Sequence, residues 1–431
     1  MPPLSDHPLR YATVNELHAR PFPSLEVPSM ALYVAIKEPV QAQNRDRSRD
    51  LAHLHALLDR HASPHPQPGA THFQGPIGRA ELKWESHTEF VTYTAFTRGV
   101  SKRPFDPAEA EVLPEDWLAS AQGKRLTSVL VRIEVMPATE AALVAALDDW
   151  FVPESLAVAR VVDGAAVIAG DFRIDPAGHM RFAVFVQPGT GPRRVGRIVQ
   201  RLCEIETYRA MSMLGLMRSR DLTARLNALD PRLMALVSGL DGGGPSPEAA
   251  LHDLLTISAE LESLAVQFSF RFGATAAYEA IVTQRINALR EQRLEGRQTF
   301  GEFMMRRYDP AMRTVKSAES RLGAMAERAE RAAELLRTRV DVERSAQNQR
   351  LLESMDQRAD LQLRLQRTVE GLSVVAISYY AVSLMTYLAY PVAKLLDMSK
   401  EVLVATLVVP IVAVVWLLVR RIRNSLHGDD D

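Results

Sequence analysis

Five stretches of the first 190 residues alternate or cluster their apolar positions in the manner of strands: Ser29–Glu38, Ala80–Arg98, Ser128–Met136, Ser155–Asp171 and Met180–Gln187. They are rich in Val, Thr, Phe and Tyr, with turn residues between them. Arg47–Arg60 and Ala138–Phe151 space their apolar residues by three and four instead, which predicts helices. Together these elements predict an α+β domain over residues 1–192 with a mostly antiparallel sheet. After the turn Pro188–Pro192 the strand signal ends. Helices are predicted at Val195–Arg218, Leu222–Gly239, Pro247–Leu294 and Ala311–Leu388, broken at Asp241–Pro245 and Gly296–Pro310. In the last of them Val315, Ala318, Leu322, Met325, Ala329, Ala332 and Leu336 keep a three-four heptad spacing, and polar residues enter that register afterwards. Residues 193–370 therefore read as a helical bundle and stalk.

The pattern changes again near the C-terminal end. Gly371–Ala393 is 23 residues without a charge, and Val402–Val419 is 18 more. As helices they reach about 34 and 27 Å, against roughly 30 Å of bilayer hydrocarbon. They predict a transmembrane hairpin over 371–419, with Pro410 bending the second span. Arg350, Arg358, Arg364, Arg367, Arg420, Arg421 and Arg423 flank the pair, whereas only Lys394 and Lys400 lie in the connecting loop. That asymmetry predicts both termini, including the basic and acidic tail 420–431, on the cytoplasmic side of a bacterial inner membrane. Met1–Ala12 shows no apolar core of a secretory signal, and the membrane lipid becomes the first expected partner.

Composition narrows the functional classes. Lys plus Arg is 51 and Asp plus Glu is 52, a formal charge of -1, so no global field gathers nucleic acid. Cys203 is the single cysteine, which excludes an internal disulfide or a paired-cysteine zinc site. Metal ligation is left to His and carboxylates. Six histidines, His53, His55, His61, His65, His72 and His87, fall within 35 residues, but their spacing does not place them on one face. Gly189–Arg194 opens a helix with basic residues and lacks the Gly-Lys-Ser/Thr ending of a nucleotide-binding loop. No nucleophile or cofactor motif is present, so neither an enzyme nor a cofactor is expected.

Four strings stand out: NELHARPF at Asn15–Phe22, WESHTEF at Trp84–Phe90, GDFRID at Gly170–Asp175, and QRLCEIETYRAMSMLGL at Gln200–Leu216. On these strings the chain resembles, over nearly its whole length, a bacterial family of uncharacterised membrane-anchored proteins of unknown function. The resemblance implies the layout and no activity. Within the strings, Glu16, His18 and Arg20, then Glu85, His87 and Glu89 at alternate positions of one strand, and Glu204, Glu206 and Arg209 on a helix are the chemistry-bearing residues. Structural hydrogen bonding or ion pairing is the plainer role for each; acid–base or regulatory metal chemistry is the alternative.

The order of parts also resembles the CorA-type metal-ion transporters, homopentamers in which the first span lines the pore. Those carry a Gly-Met-Asn signature at its outer end, and here the stretch reads Thr386-Tyr-Leu-Ala-Tyr390-Pro391. Ser373, Tyr380, Ser383, Tyr387 and Tyr390 nevertheless share one face of the first span. In a homo-oligomer that face can line a path for a cation; within a hairpin it can supply interhelical hydrogen bonds and an aromatic belt. Two functions follow as expectations: an oligomeric ion transporter or channel, and a non-conducting membrane-anchored scaffold or regulator that binds a protein or lipid.

Overall fold

A computed structural model of the chain describes residues 4–11, 13–14, 22–39, 45–239, 246–395 and 399–426. The described chain divides into two compact units, Met1–Pro245 with His252–Ala333, and Ser246–Leu251 with Glu334–Asp431. Glu16, His18 and Arg20 lie outside the described residues.

The first unit is built on one nine-stranded sheet. Its strands are β1 (Ser29–Lys37), β2 (His72–Ile77), β3 (Ala80–Ser86), β4 (Phe90–Arg98), β5 (Lys124–Val135), β6 (Ala157–Val161), β7 (Ala166–Ile174), β8 (Met180–Val186) and the two-residue β9 (Gln292–Arg293). They run in the order β2-β3-β4-β1-β5-β8-β7-β6-β9. Every pairing is antiparallel except β5 with β8. The inner strand β1 is buried along its whole length, and its alternation assigns the two faces. Met30, Leu32, Val34 and Ile36 join the main core with α1 (Arg47–Arg60), α2 (Glu115–Ala119) and α3 (Glu140–Trp150). Ala31, Tyr33 and Ala35 face the opposite way, and the Tyr33 hydroxyl meets Thr207 of α4 (Pro192–Ser238).

Helix α4 covers that second face because Val195, Ile198, Val199, Leu202 and Ile205 present a continuous buried stripe. Glycine is required at its start: a Cβ on Gly196 would lie 1.8 Å from the Pro23 carbonyl oxygen, so the segment after the first motif crosses the helix here. Further along, Leu222, Leu226, Leu229 and Leu233 of α4 are buried, as are Leu254, Ile257, Leu261 and Leu264 of α5 (Pro247–Leu289). The third helix of this layer is the first part of α7 (Asp309–Leu395). Ion pairs from Arg321 to Asp230 at 2.8 Å and from Lys316 to Glu279 at 2.8 Å tie α7 to α4 and α5.

Several boundaries differ from the sequence reading for local reasons. Ala80–Arg98 and Ser155–Asp171 each contain a hairpin rather than one strand, with turns at His87–Glu89 and at Val162–Ala165. Strand β2 was hidden by Gly75 and Pro76, which break its pattern. Helix α4 runs unbroken through the polar stretch Ser219–Asp221, because Ser219 itself is buried and bonds back to the Leu216 carbonyl. The expected break at Gly296–Pro310 holds α6 (Phe300–Arg307), started by a capping box between Thr299 and Glu302.

In the second unit, Arg344–Val369 is helical and every one of its residues is exposed. Among the described residues two helices are long and apolar enough to cross a membrane, the later part of α7 and α8 (Lys400–Leu426), and only 11% of the most apolar window of each is buried. A core helix of a soluble protein would be mostly covered. The buried positions form narrow stripes, with Ser378 and Thr386 on α7 and Leu403 and Val415 on α8.

Candidate functional site

Strand β3 sends Leu82 and Trp84 into the main core, so Lys83 and Glu85 point to the face beneath α4. There they line a cavity of about 260 Å³ with Tyr33, Gln200, Glu204 and Arg285. Phe90 and Phe96 supply apolar wall, and Phe22, the last residue of the first motif, contributes to the lining.

The charged side chains of the cavity are joined in a row. The Lys83 ammonium lies 3.2 Å from Glu85 Oε2 and donates to Gln200 Oε1 at 3.1 Å. Gln200 Nε2 donates to Glu204 Oε1 at 2.7 Å, and Arg285 donates to Glu204 Oε2. Among the described residues two acids thus match two bases, and these four side chains carry no net formal charge. Lys83 and Glu85 form the deeper pair, with side chains 6% and 14% exposed, against 33% and 22% for Arg285 and Glu204. Beside them the Thr207 hydroxyl sits 2.6 Å from the Tyr33 hydroxyl and 2.8 Å from the Cys203 carbonyl oxygen. Burial pushes the Tyr33 phenol and the Cys203 thiol well above their ordinary pKa values, so neither is a ready nucleophile near neutrality.

The motif residues divide between this cavity and purely structural work. Glu85, His87 and Glu204 line it. His87 and Glu89 leave the alternation expected of them, because β3 ends at Ser86 and both fall in the turn before β4. His87 stacks on Phe90 with ring centroids 4.4 Å apart. Glu89 is 1% exposed and is held by Arg271, by the Tyr278 hydroxyl at 2.9 Å and by Lys37 at 3.6 Å. Burial lowers the Lys37 pKa, with Arg271 adding to the effect against the attraction of Glu89. Glu206 faces away from Glu204 and accepts from Thr127 at 3.1 Å and from Arg209 at 2.9 Å through both oxygens. These two acids lock the sheet to the helices.

The GDFRID string is also structural. Pairing with β8 shifts register between Gly170 and Ile174, and Phe172 takes a left-handed φ of 53° at this bulge. Asp171, buried beneath it, accepts from the Val152 and Arg173 amides at 3.2 Å and from Arg181 at 3.1 Å. Any side chain at Gly170 would put Cβ 2.3 Å from the Phe182 ring.

The histidines do not assemble into a metal centre. Among the described residues no group of three or more His, Cys, Asp or Glu side chains is placed to hold a metal ion. His53 lies flat on Trp117, with Nε2 2.9 Å from the Trp117 carbonyl and Nδ1 2.8 Å from the Tyr93 hydroxyl. His55 and His65 stack on each other at 4.2 Å, and His65 bonds Asp59 at 2.8 Å. His61 and His72 lie elsewhere on the loop and on β2.

A family model described as a protein of unknown function, DUF3422, matches residues 5–426. The chain belongs to the DUF3422 family. Membership covers nearly the whole chain, both units included, and bears out the likeness to an uncharacterised family; it lends no support to a likeness with CorA-type transporters. No curated protein matches the chain. In this DUF3422 chain the cavity residues that sequence reasoning missed are Lys83, Gln200 and Arg285. Lys83 was findable, since it alternates with Glu85 on β3. Arg285 carries no local signal, and only the crossing of α5 over α4 brings it to Glu204.

On the apolar helices, Tyr380, Tyr387, Tyr390 and Ser373 are exposed and Ser383 is half-buried. The polar residues covered there are Ser378 and Thr386, and the Thr386 hydroxyl donates to the Val382 carbonyl at 2.7 Å. The candidate pore-lining stripe is therefore not the covered stripe of its helix.

Proposed function

We propose that this DUF3422 chain is a two-span protein of the bacterial inner membrane whose cytoplasmic module binds a small molecule, with the membrane hairpin acting as a non-conducting anchor. The reading rests on one observation: residues of three separate motif strings, Phe22, Glu85 with His87, and Glu204, meet around one partly enclosed cavity. Enclosed cavities with a few convergent polar groups are the usual form of small-molecule sites. Signalling from such a module to a protein or lipid partner is the role that fits an anchor.

The test has two arms. Full-length protein should stay with the membrane fraction after alkaline carbonate extraction. Released from membranes in mild detergent and transferred to native mass spectrometry, it should carry a small molecule from cell extract, and the Lys83→Met variant should not. Recovery of the wild type without bound mass, over a range of extracts, removes the binding function.

A second reading is a homo-oligomeric cation path lined by Ser373, Tyr380, Ser383, Tyr387 and Tyr390, favoured by the exposure of most of that stripe in the single chain. One hairpin cannot enclose water, so this reading requires several copies. A monomeric mass in detergent, or liposomes showing no cation flux, rejects it.

A further inference from the structure

We infer that the cavity takes a small zwitterion of the α-amino-acid class, with its ammonium against Glu85, its carboxylate against Lys83 and an apolar side group against Phe90 and Phe96. This rests on the reading that the cavity is a small-molecule site, and adds the chemistry of the ligand.

Four ligand types can be compared on electrostatic grounds. Among the described residues the charged side chains of the cavity wall alternate acid and base from Glu85 through Lys83 and Glu204 to Arg285, and sum to zero. An anion would find Lys83 already matched by Glu85 at 3.2 Å and would bring an uncompensated charge into a poorly solvated space. A cation meets the same obstacle with the signs reversed. A neutral apolar molecule would strip water from four charged groups and return no hydrogen bonds. Of these four, the zwitterion adds a donor for the Glu85 carboxylate and an acceptor for the Lys83 ammonium while leaving the sum unchanged, and its full charges make stronger hydrogen bonds to both than a neutral polar molecule can.

Geometry narrows the class further. Lys83 and Glu85 are two apart on one strand, with their charges 3.2 Å from each other. An α-amino acid, whose charged groups are separated by a single carbon, can lie across such a pair. The Lys83 ammonium has three protons and two neighbouring acceptors, Glu85 and Gln200. The cavity volume of about 260 Å³ lies at the small end of ligand sites, which suits a ligand of low molecular mass.

The experiment uses full-length protein in detergent and three probes of one shape: L-phenylalanine, 3-phenylpropanoate lacking the ammonium, and 2-phenylethylamine lacking the carboxylate. Calorimetric titration should show phenylalanine binding at least tenfold tighter than either truncated probe. Glu85→Gln keeps the shape of the site but raises its formal charge by one. That variant should lose at least tenfold for phenylalanine and gain affinity for 3-phenylpropanoate, a gain that misfolding cannot produce. Equal binding of phenylalanine and 3-phenylpropanoate by the wild type overturns the inference, as does a Glu85→Gln variant in which phenylalanine loses no affinity or 3-phenylpropanoate gains none. If no probe binds while native mass spectrometry still detects another captured molecule, the zwitterion assignment fails and the small-molecule site stands. If nothing is captured at all, both fail.

Discussion

His53 is held by contacts that fix one tautomer of its neutral ring. The Trp117 carbonyl, an acceptor with no proton of its own, requires Nε2 to carry hydrogen, which leaves Nδ1 to accept from the Tyr93 hydroxyl. Burial lowers the pKa of this imidazole, against a smaller opposing effect of the bond to Trp117. Between the folded value and the ordinary histidine value of about 6.5, the unfolded chain binds more protons than the native one, so stability falls as pH drops through this window. His55 and His179 are lowered by burial too and act in the same direction. His53→Gln should cost roughly 1–2 kcal/mol at pH 8 and flatten the decline of Tm below about pH 6.5. Identical slopes in variant and wild type would remove His53 as its source. Asp171→Asn should be more damaging, about 2–4 kcal/mol by chemical denaturation, because Arg181 keeps its charge while the buried carboxylate is lost. Little of this was legible beforehand. The strings containing Asp171 and Glu89 attract attention as chemistry, yet their buried carboxylates serve the packing, and nothing in linear spacing distinguishes a structural acid from a reactive one.

Among the elements, periodicity was the most reliable guide. All seven heptad positions from Val315 to Leu336 are 6% exposed or less, as a seam packed against other helices requires. Leu322→Ala should therefore cost about 2–5 kcal/mol. Leu363→Ala, on the wholly exposed stretch of the same helix, should leave the unfolding midpoint of the single chain within a degree or two. A large loss at Leu363 would mean that another surface covers it in solution. Helix starts and strand ends were less legible, since α6 depends on a reciprocal cap and β2 on partners that override Gly75 and Pro76. Lys83 and Glu85 were placed correctly on a strand, but their convergence with Glu204 depends on which sheet face α4 covers. That choice is made by Val195, Ile198 and Leu202 in tertiary packing.

For the whole molecule, the apolar helices make the sharpest prediction. Cys203 is the single cysteine and is buried, so a cysteine introduced at Ser399, between the two spans, is a unique reporter. In intact cells Ser399→Cys should react with a membrane-impermeant maleimide from the outside, whereas the parent chain should not. Labelling only after the cells are opened would reverse the proposed orientation. The two apolar helices were legible because length and apolarity show in consecutive residues, and no tertiary knowledge is needed to recognise them.

Strand β9 carries a consequence for anyone who would divide the chain. Gln292 and Arg293 return from the end of α5 to pair with Arg160 and Ala159, and Gln298 then receives the Val158 amide at 2.9 Å. Expressing residues 1–192 alone would strip this border from β6 and leave the Ala31, Tyr33 and Ala35 side of the sheet without its helix, two open invitations to intermolecular pairing. Such a fragment should collect in inclusion bodies, and a fragment reaching Ala333 should remain in solution.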